Sequence, residues 1–259
     1  MSGFGKYAGM CAVATTVFIG AMFTLLFETP EAWIRGSAYA LSGHHLQLLD
    51  IEGGVLDGSA DVSWDEDHAP GIPLGRWGWR YTPQWNGILI ETVRALSGPA
   101  TGQTGLQLSW DGLTLLGADF TIQARAISWR NPLWTMVQPA AALHLQTERL
   151  NIQHEGMVGE GSLTCSHAYS PQVRLPDLGS WQMHWQAAGE TTHLKMMTLK
   201  GPLHLEGDGV LTVAGQPTLK LSVRLWSEAR YARDLEPIIK LMGAQQPDGS
   251  VPWRLSLSL

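Results

Sequence analysis

Short catalytic signatures are missing from this chain of 259 residues. There is no G-x-S-x-G elbow, no H-E-x-x-H, no C-x-x-C, no G-x-x-x-x-G-K-[ST] and no G-x-G-x-x-G opening a helix, so the familiar short routes to a nucleophile, a zinc ion or a bound nucleotide are not on offer. Charge is scarce too. Only 15% of residues are Asp, Glu, Lys or Arg, the formal net charge is -6, and no run of Lys or Arg is long enough to neutralise a string of phosphates. Nucleic acid is therefore not expected as a partner. Cysteine occurs only at Cys11 and Cys165.

What the chain does contain begins with a long apolar run. Tyr7 to Phe27 (YAGMCAVATTVFIGAMFTLLF) is uncharged over about the twenty residues that a helix needs to cross a bilayer. Lys6 precedes it and Glu28 and Glu31 follow, which predicts a cytoplasmic N-terminus and a non-cytoplasmic remainder. The run ends in Thr24-Leu25-Leu26-Phe27 rather than a small-x-small cleavage site, so it reads as a retained anchor and not a signal peptide. Trp33 suits the membrane interface. With Cys11 in the membrane and Cys165 beyond it, the two cannot pair.

Past the anchor, a chain that is 44% hydrophobic and holds 29 glycines in all is arranged as short alternating segments broken by Gly, Pro, Asn and Asp. Leu106, Leu108 and Trp110 alternate with Gln107 and Ser109. Leu219, Leu221, Val223 and Leu225 alternate with Lys220, Ser222 and Arg224, and Leu255, Leu257 and Leu259 with Ser256 and Ser258. Each such strand has one dry side, which predicts an antiparallel sheet rather than a parallel α/β fold. Helical text beyond the anchor is limited to residues 132–142 and SEARYARDLEPIIKLMGAQ, where Ser227 is the expected cap, Gly243 the expected end and Pro237 a kink or split. The expected fold is mainly β: one transmembrane helix, then an antiparallel β-rich domain, either a curved sheet or a sandwich, with a short helix before the last strand. The expected organisation is a cytoplasmic tip at 1–6, the membrane helix at 7–27 and the β domain at 28–259, with a division into two β halves near 167–179.

Candidate chemistry has a bland counterpart at every point. His44 and His45 with His68, or His144 with His154, supply metal-ligand types, but neighbouring strand residues face opposite ways, so these read as surface histidines. Asp65, Glu66 and Asp67 precede His68-Ala69-Pro70-Gly71 and read as a solvated hairpin rather than paired acid and base. Glu155 and Asp208, flanked by glycines, read as turn residues. Trp77, Trp79 and Tyr81 share a strand face and read as an aromatic core, the functional counterpart being a groove for acyl chains or sugar. No catalytic, cofactor-binding or metal-binding residue and no cofactor is therefore expected.

The order of these segments carries a resemblance. An N-terminal anchor, LQLLDIEGGVLDGSADVSW, a Pro-Leu-Gly-x-Trp-x-Trp strand, GPLHLEGDGVLTVAGQPTLKLSVRL and ARDLEPIIKLMG together resemble the type II secretion system protein N family over nearly the whole chain. The matching positions are Gly54, Gly58, Ala60 and Trp64, then Leu74, Gly75, Trp77 and Trp79, and later Gly201, Leu203, Leu205, Gly207, Gly209, Leu235, Leu241, Gly243 and Gly249. The resemblance implies a non-enzymatic accessory component of the type II secretion machine. It would sit in the bacterial inner membrane by a single pass, with its main domain in the periplasm and other inner-membrane secretion components as partners. The residues themselves leave a second reading open, a membrane-anchored lipid-binding or lipid-transfer groove similar to AsmA-like and periplasmic-bridge proteins. An apolar trough open to solvent would favour lipid, and a filled interior the assembly role. A glycan hydrolase would need two carboxylates facing each other across a cleft.

Overall fold

The computed structural model describes residues 45–258, except 55, 67–68, 85–86, 110–111, 124–139, 154–155 and 214–217, together with residues 31, 35, 36 and 39. The alternating segments form thirteen strands: β1 (Leu46–Gly53), β2 (Asp57–Glu66), β3 (Ala69–Gln84), β4 (Gly87–Ser97), β5 (Ala100–Ser109), β6 (Gly112–Gln123), β7 (Ala140–Gln153), β8 (Gly156–Tyr169), β9 (Gly179–Gly189), β10 (Thr191–Lys200), β11 (Leu203–Thr212), β12 (Thr218–Ser227) and β13 (Val251–Ser258). They hydrogen-bond in strict chain order as one antiparallel sheet. Among the described residues there is no second sheet, so the open sheet is the form taken and not the sandwich.

Register turns alternation within strands into continuity across them. Directly paired residues of antiparallel strands lie on the same face. One cross-strand row runs Leu163, Met183, Met196, Gly207, Val223 and Trp253, apolar from β8 to β13. The adjacent row on the opposite face runs Ser162, His184, Lys195, Asp208, Ser222 and Arg254. The same apolar face continues through Ala60, Trp77 and Ala95 in β2 to β4. Trp77 and Phe120 stand three strands apart, yet their rings approach to 5.2 Å. Three strand spacings are about 14 Å on a flat sheet. Their register partners are the small residues Ala95 and Gly102, which leave room for the two rings to lean together.

A helix closes one end of that face. A single 3-10 turn (Ala229–Tyr231) leads into α1 (Ala232–Met242), whose Leu235, Ile238 and Ile239 recur on one side and are buried. They form a cluster with Ala168, Leu203 and Val251 of the sheet and with Val173 and Leu178 from segment 170–178, which joins β8 to β9. Burying each of the three helix side chains stabilises the cap by about 1.5–3 kcal/mol. Trp181 packs at its margin and donates its indole N–H to the Leu203 carbonyl at 2.9 Å. The opposite side of α1 carries the Glu236–Lys240 pair at 2.6 Å.

Several local expectations need correction. Ser227 ends β12 and caps nothing; α1 starts five residues later, at Ala232, with no side-chain cap. Pro237 lies inside α1 without dividing it, because it forfeits only one backbone bond while its neighbours Leu235, Ile238 and Ile239 hold the helix to the sheet. Gly243 does close the helix. Residues 140–142 belong to β7 and not to a helix, since the period-two pattern of Leu143 and Leu145 against His144 and Gln146 already governs there. Residues 132–139 lie outside the described residues, as do the anchor Tyr7 to Phe27, Cys11 and Trp33. Among the described residues no helix is long and apolar enough to cross a membrane.

Candidate functional site

Glycine is what lets the apolar face close up. An added Cβ at Gly58 would meet the Trp79 ring, one at Gly161 the Trp185 ring, and one at Gly209 the side chains of Leu221 and Leu194. Large side chains on one strand therefore lie over glycines on the next. Gly75 (φ +88) and Gly98 (φ +109) serve differently: their backbones touch across β3 and β4 in a conformation that L side chains rarely adopt. Trp77 and Trp79 satisfy their indole N–H groups on the carbonyls of Leu74 (3.0 Å) and Gly54 (3.1 Å), as core tryptophans must.

Cover on this face is uneven. Along the capped end Val251 is 0% exposed, Leu225 2% and Val223 3%, whereas Leu221, Leu219, Met183 and Met196 are half-buried. Cys165 lies near the cap, opposite Trp181, and burial pushes its thiol up to about 11.

The polar face carries paired charges at the β1 end. Arg76 meets Asp50 (3.1 Å), Glu52 (2.7 Å) and Asp61 (3.6 Å), and the hydrogen bond to Asp50, helped by the other carboxylates, raises its guanidinium further above the ordinary arginine value. Arg80 pairs with Asp57 at 3.3 Å. Near α1, His204 stacks on Trp226 with 5.2 Å between ring centroids, Arg224 lies 5.1 Å from the same ring, and Glu206 holds Arg224 at 3.4 Å. Between these regions a broad open trough of about 1850 Å³ crosses β6 to β13. Two neighbouring rows of polar-face residues line it, together with residues of the row between them such as Trp185, Leu194 and Leu221. Asp119 and Glu160 lie towards β6 and β8, while Lys195, Lys220 and Arg254 lie towards β10, β12 and β13.

The candidate residues scatter. His144 in β7 meets Asp119 at 2.7 Å, and His45 precedes β1; His44, His68 and His154 lie outside the described residues. Among the described residues no three His, Cys, Asp or Glu side chains gather to hold a metal. Asp65 and Glu66 end β2 at its hairpin with β3, and Asp67 and Glu155 lie outside the described residues. Asp208 is not a turn residue. It sits in the middle of β11, opposite Lys195 and Ser222; of its flanking glycines, Gly209 makes room for Leu221 and Leu194 and Gly207 lets the β12 backbone come close. The trough itself escaped the linear reading, since Lys195, Lys220 and Arg254 meet only through register.

Comparison with known proteins adds the deciding observation: the model of the family described as "Type II secretion system (T2SS), protein N" matches residues 44–254. The chain belongs to the type II secretion system protein N family. The match starts two residues before β1 and ends within β13, so it takes in nearly all of the described sheet and its helical cap. No curated protein matches the chain, and no solved structure does. As a protein N, the chain is assigned to the type II secretion apparatus. Several of the family-like positions now have physical roles: Gly58 and Gly209 seat neighbouring side chains, and Leu203 and Leu235 meet under the cap.

Proposed function

We propose that this protein is an inner-membrane accessory component of the type II secretion system, acting through protein contacts in the periplasm and not through catalysis. The family match over residues 44–254, nearly the whole described sheet, carries this reading. Residues 7–27 would anchor the chain, residues 1–6 would face the cytoplasm, and the β domain from residue 28 would be periplasmic, on the strength of an uncharged run flanked by Lys6 and by Glu28 and Glu31. No cofactor or metal is needed for such a role. The direct test is deletion of the gene in a secreting strain, followed by assay of a secreted substrate in medium and periplasm. The substrate should accumulate in the periplasm, and unchanged secretion would overturn the assignment.

One observation favours a second reading, acyl-chain binding by the apolar face. From β8 to β12 the half-buried Leu163, Met183, Met196, Leu221 and Leu219 form a continuous apolar surface that α1 and segment 170–178 do not reach. Photo-crosslinking from position 221 in native membranes separates the two readings: a lipid adduct supports acyl binding, and a protein adduct or none supports assembly.

A further inference from the structure

We propose that the basic side of the polar-face trough is a docking site for an extended acidic segment of a partner protein. The proposal rests on the reading of the chain as a secretion component that works through protein contacts, and it names the surface and the chemistry. Lys195 and Arg254 occupy one cross-strand row, separated by Asp208 and Ser222, and Lys220 projects from the next row between them. All three are exposed, and among the described residues none forms an ion pair. Asp208 is the register partner of Lys195, yet the two do not close into a pair. Other cations on the sheet do close pairs, Arg76 with three carboxylates, Arg80 with Asp57 and Arg224 with Glu206. Among the described residues these three cations gather at the β10 to β13 end of the trough, and Arg149, also without an ion pair, lies towards its other end.

The spacing selects the occupant. Three strand spacings place Lys195 and Arg254 about 14 Å apart at the backbone, with Lys220 between. Acidic side chains at alternate positions of an extended segment recur every ~6.7 Å, so three of them span about 13 Å and can meet all three cations at once. A single lipid phosphate can bridge neighbours such as Lys220 and Arg254 but does not follow the whole row. His193, Gln186 and Ser256, which also line this part of the trough, offer further hydrogen bonds. Contacts this exposed are individually weak and screened by salt, so the site adds register and encounter rate more than strength.

The test uses full-length protein in detergent micelles and a labelled peptide of about ten alternating Glu and Ser residues, beside its Gln-for-Glu counterpart. Fluorescence anisotropy should show the Glu peptide binding at least about tenfold more tightly than the Gln peptide at low salt, with the preference lost at high salt. Lys195→Glu/Lys220→Glu/Arg254→Glu, shown folded by circular dichroism, should reverse the preference towards a Lys/Ser peptide. Should that variant not fold, Arg254→Gln with Lys220→Gln should still weaken the Glu peptide several-fold. Equal binding of the two peptides, or Glu-peptide binding untouched by the substitutions, overturns the proposal. So does capture of phosphatidylglycerol vesicles that depends on the three cations when the peptides show no preference. In cells, a secretion defect on deletion that the triple variant fully rescues would sink the docking site alone, whereas no defect on deletion would sink the secretion reading beneath it.

Discussion

At the scale of single residues, burial and hydrogen bonding set reactivities that can be read directly. Cys165 has its thiol pushed up to about 11, so it stays protonated at neutral pH. In a Cys11→Ser variant that leaves Cys165 as the single thiol, alkylation by iodoacetamide should be far slower than for a free thiol, and its rate should climb only as pH approaches that value. Because the folded state raises this pKa, the contribution to stability is complete below the unfolded value and is lost as pH rises through the folded one. Melting at pH 8 and pH 11 in the wild type and in Cys165→Ala should show that difference. Asp248 behaves in the opposite sense. The Ser250 hydroxyl donates to it at 2.7 Å and the Ser250 N–H at 2.9 Å, holding its carboxyl below the usual aspartate range. That support for the 244–250 loop is present above the unfolded pKa and disappears as pH falls through the lower folded value. The protection factor of the Ser250 amide, measured against its intrinsic exchange rate at each pH, should therefore fall in acid, and Asp248→Asn should show the lower protection already at neutral pH.

At the scale of elements, the cap and the strand beneath it make the sharpest predictions. Leu235 is fully buried between α1 and the sheet, so Leu235→Ala should cost about 2–5 kcal/mol in urea unfolding of the full-length protein. Along β12 cover declines from Leu225 and Val223 to Leu221 and Leu219. A charge introduced at Val223 has no partner and no water, whereas one at Leu219 keeps part of its hydration. Val223→Asp should unfold the capped end, and Leu219→Asp should be the milder of the two. Equal losses would mean that the face is sealed throughout. These elements also mark what the sequence makes legible. Alternation such as Leu219, Leu221 and Val223 against Lys220 and Ser222 gives away strands and their dry side, because side-chain direction has period two whatever lies next door. Glycine misleads by the same local logic: Gly207 and Gly209 look like punctuation around Asp208, and only the neighbouring strands show that they are seats within β11. The polar trough was not legible, because Lys195, Lys220 and Arg254 are distant in sequence and register alone brings them together.

At the scale of the molecule, a sheet whose hydrophobic cluster sits at one end should not melt as a unit. Urea unfolding followed by hydrogen exchange should show β8 to β13 with α1 more protected than β1 to β5, and one cooperative transition at every amide would contradict this. Strand order that copies chain order has another consequence. Each strand needs only the one just before it as a template, so no segment has to wait for a distant partner, and loop-closure entropy stays small at every step. A chain of this kind can be laid down like courses of brick as it emerges from a ribosome or a translocation channel, each new hairpin docking on an edge already built. The helix, arriving before the final course, then locks the end that is made last.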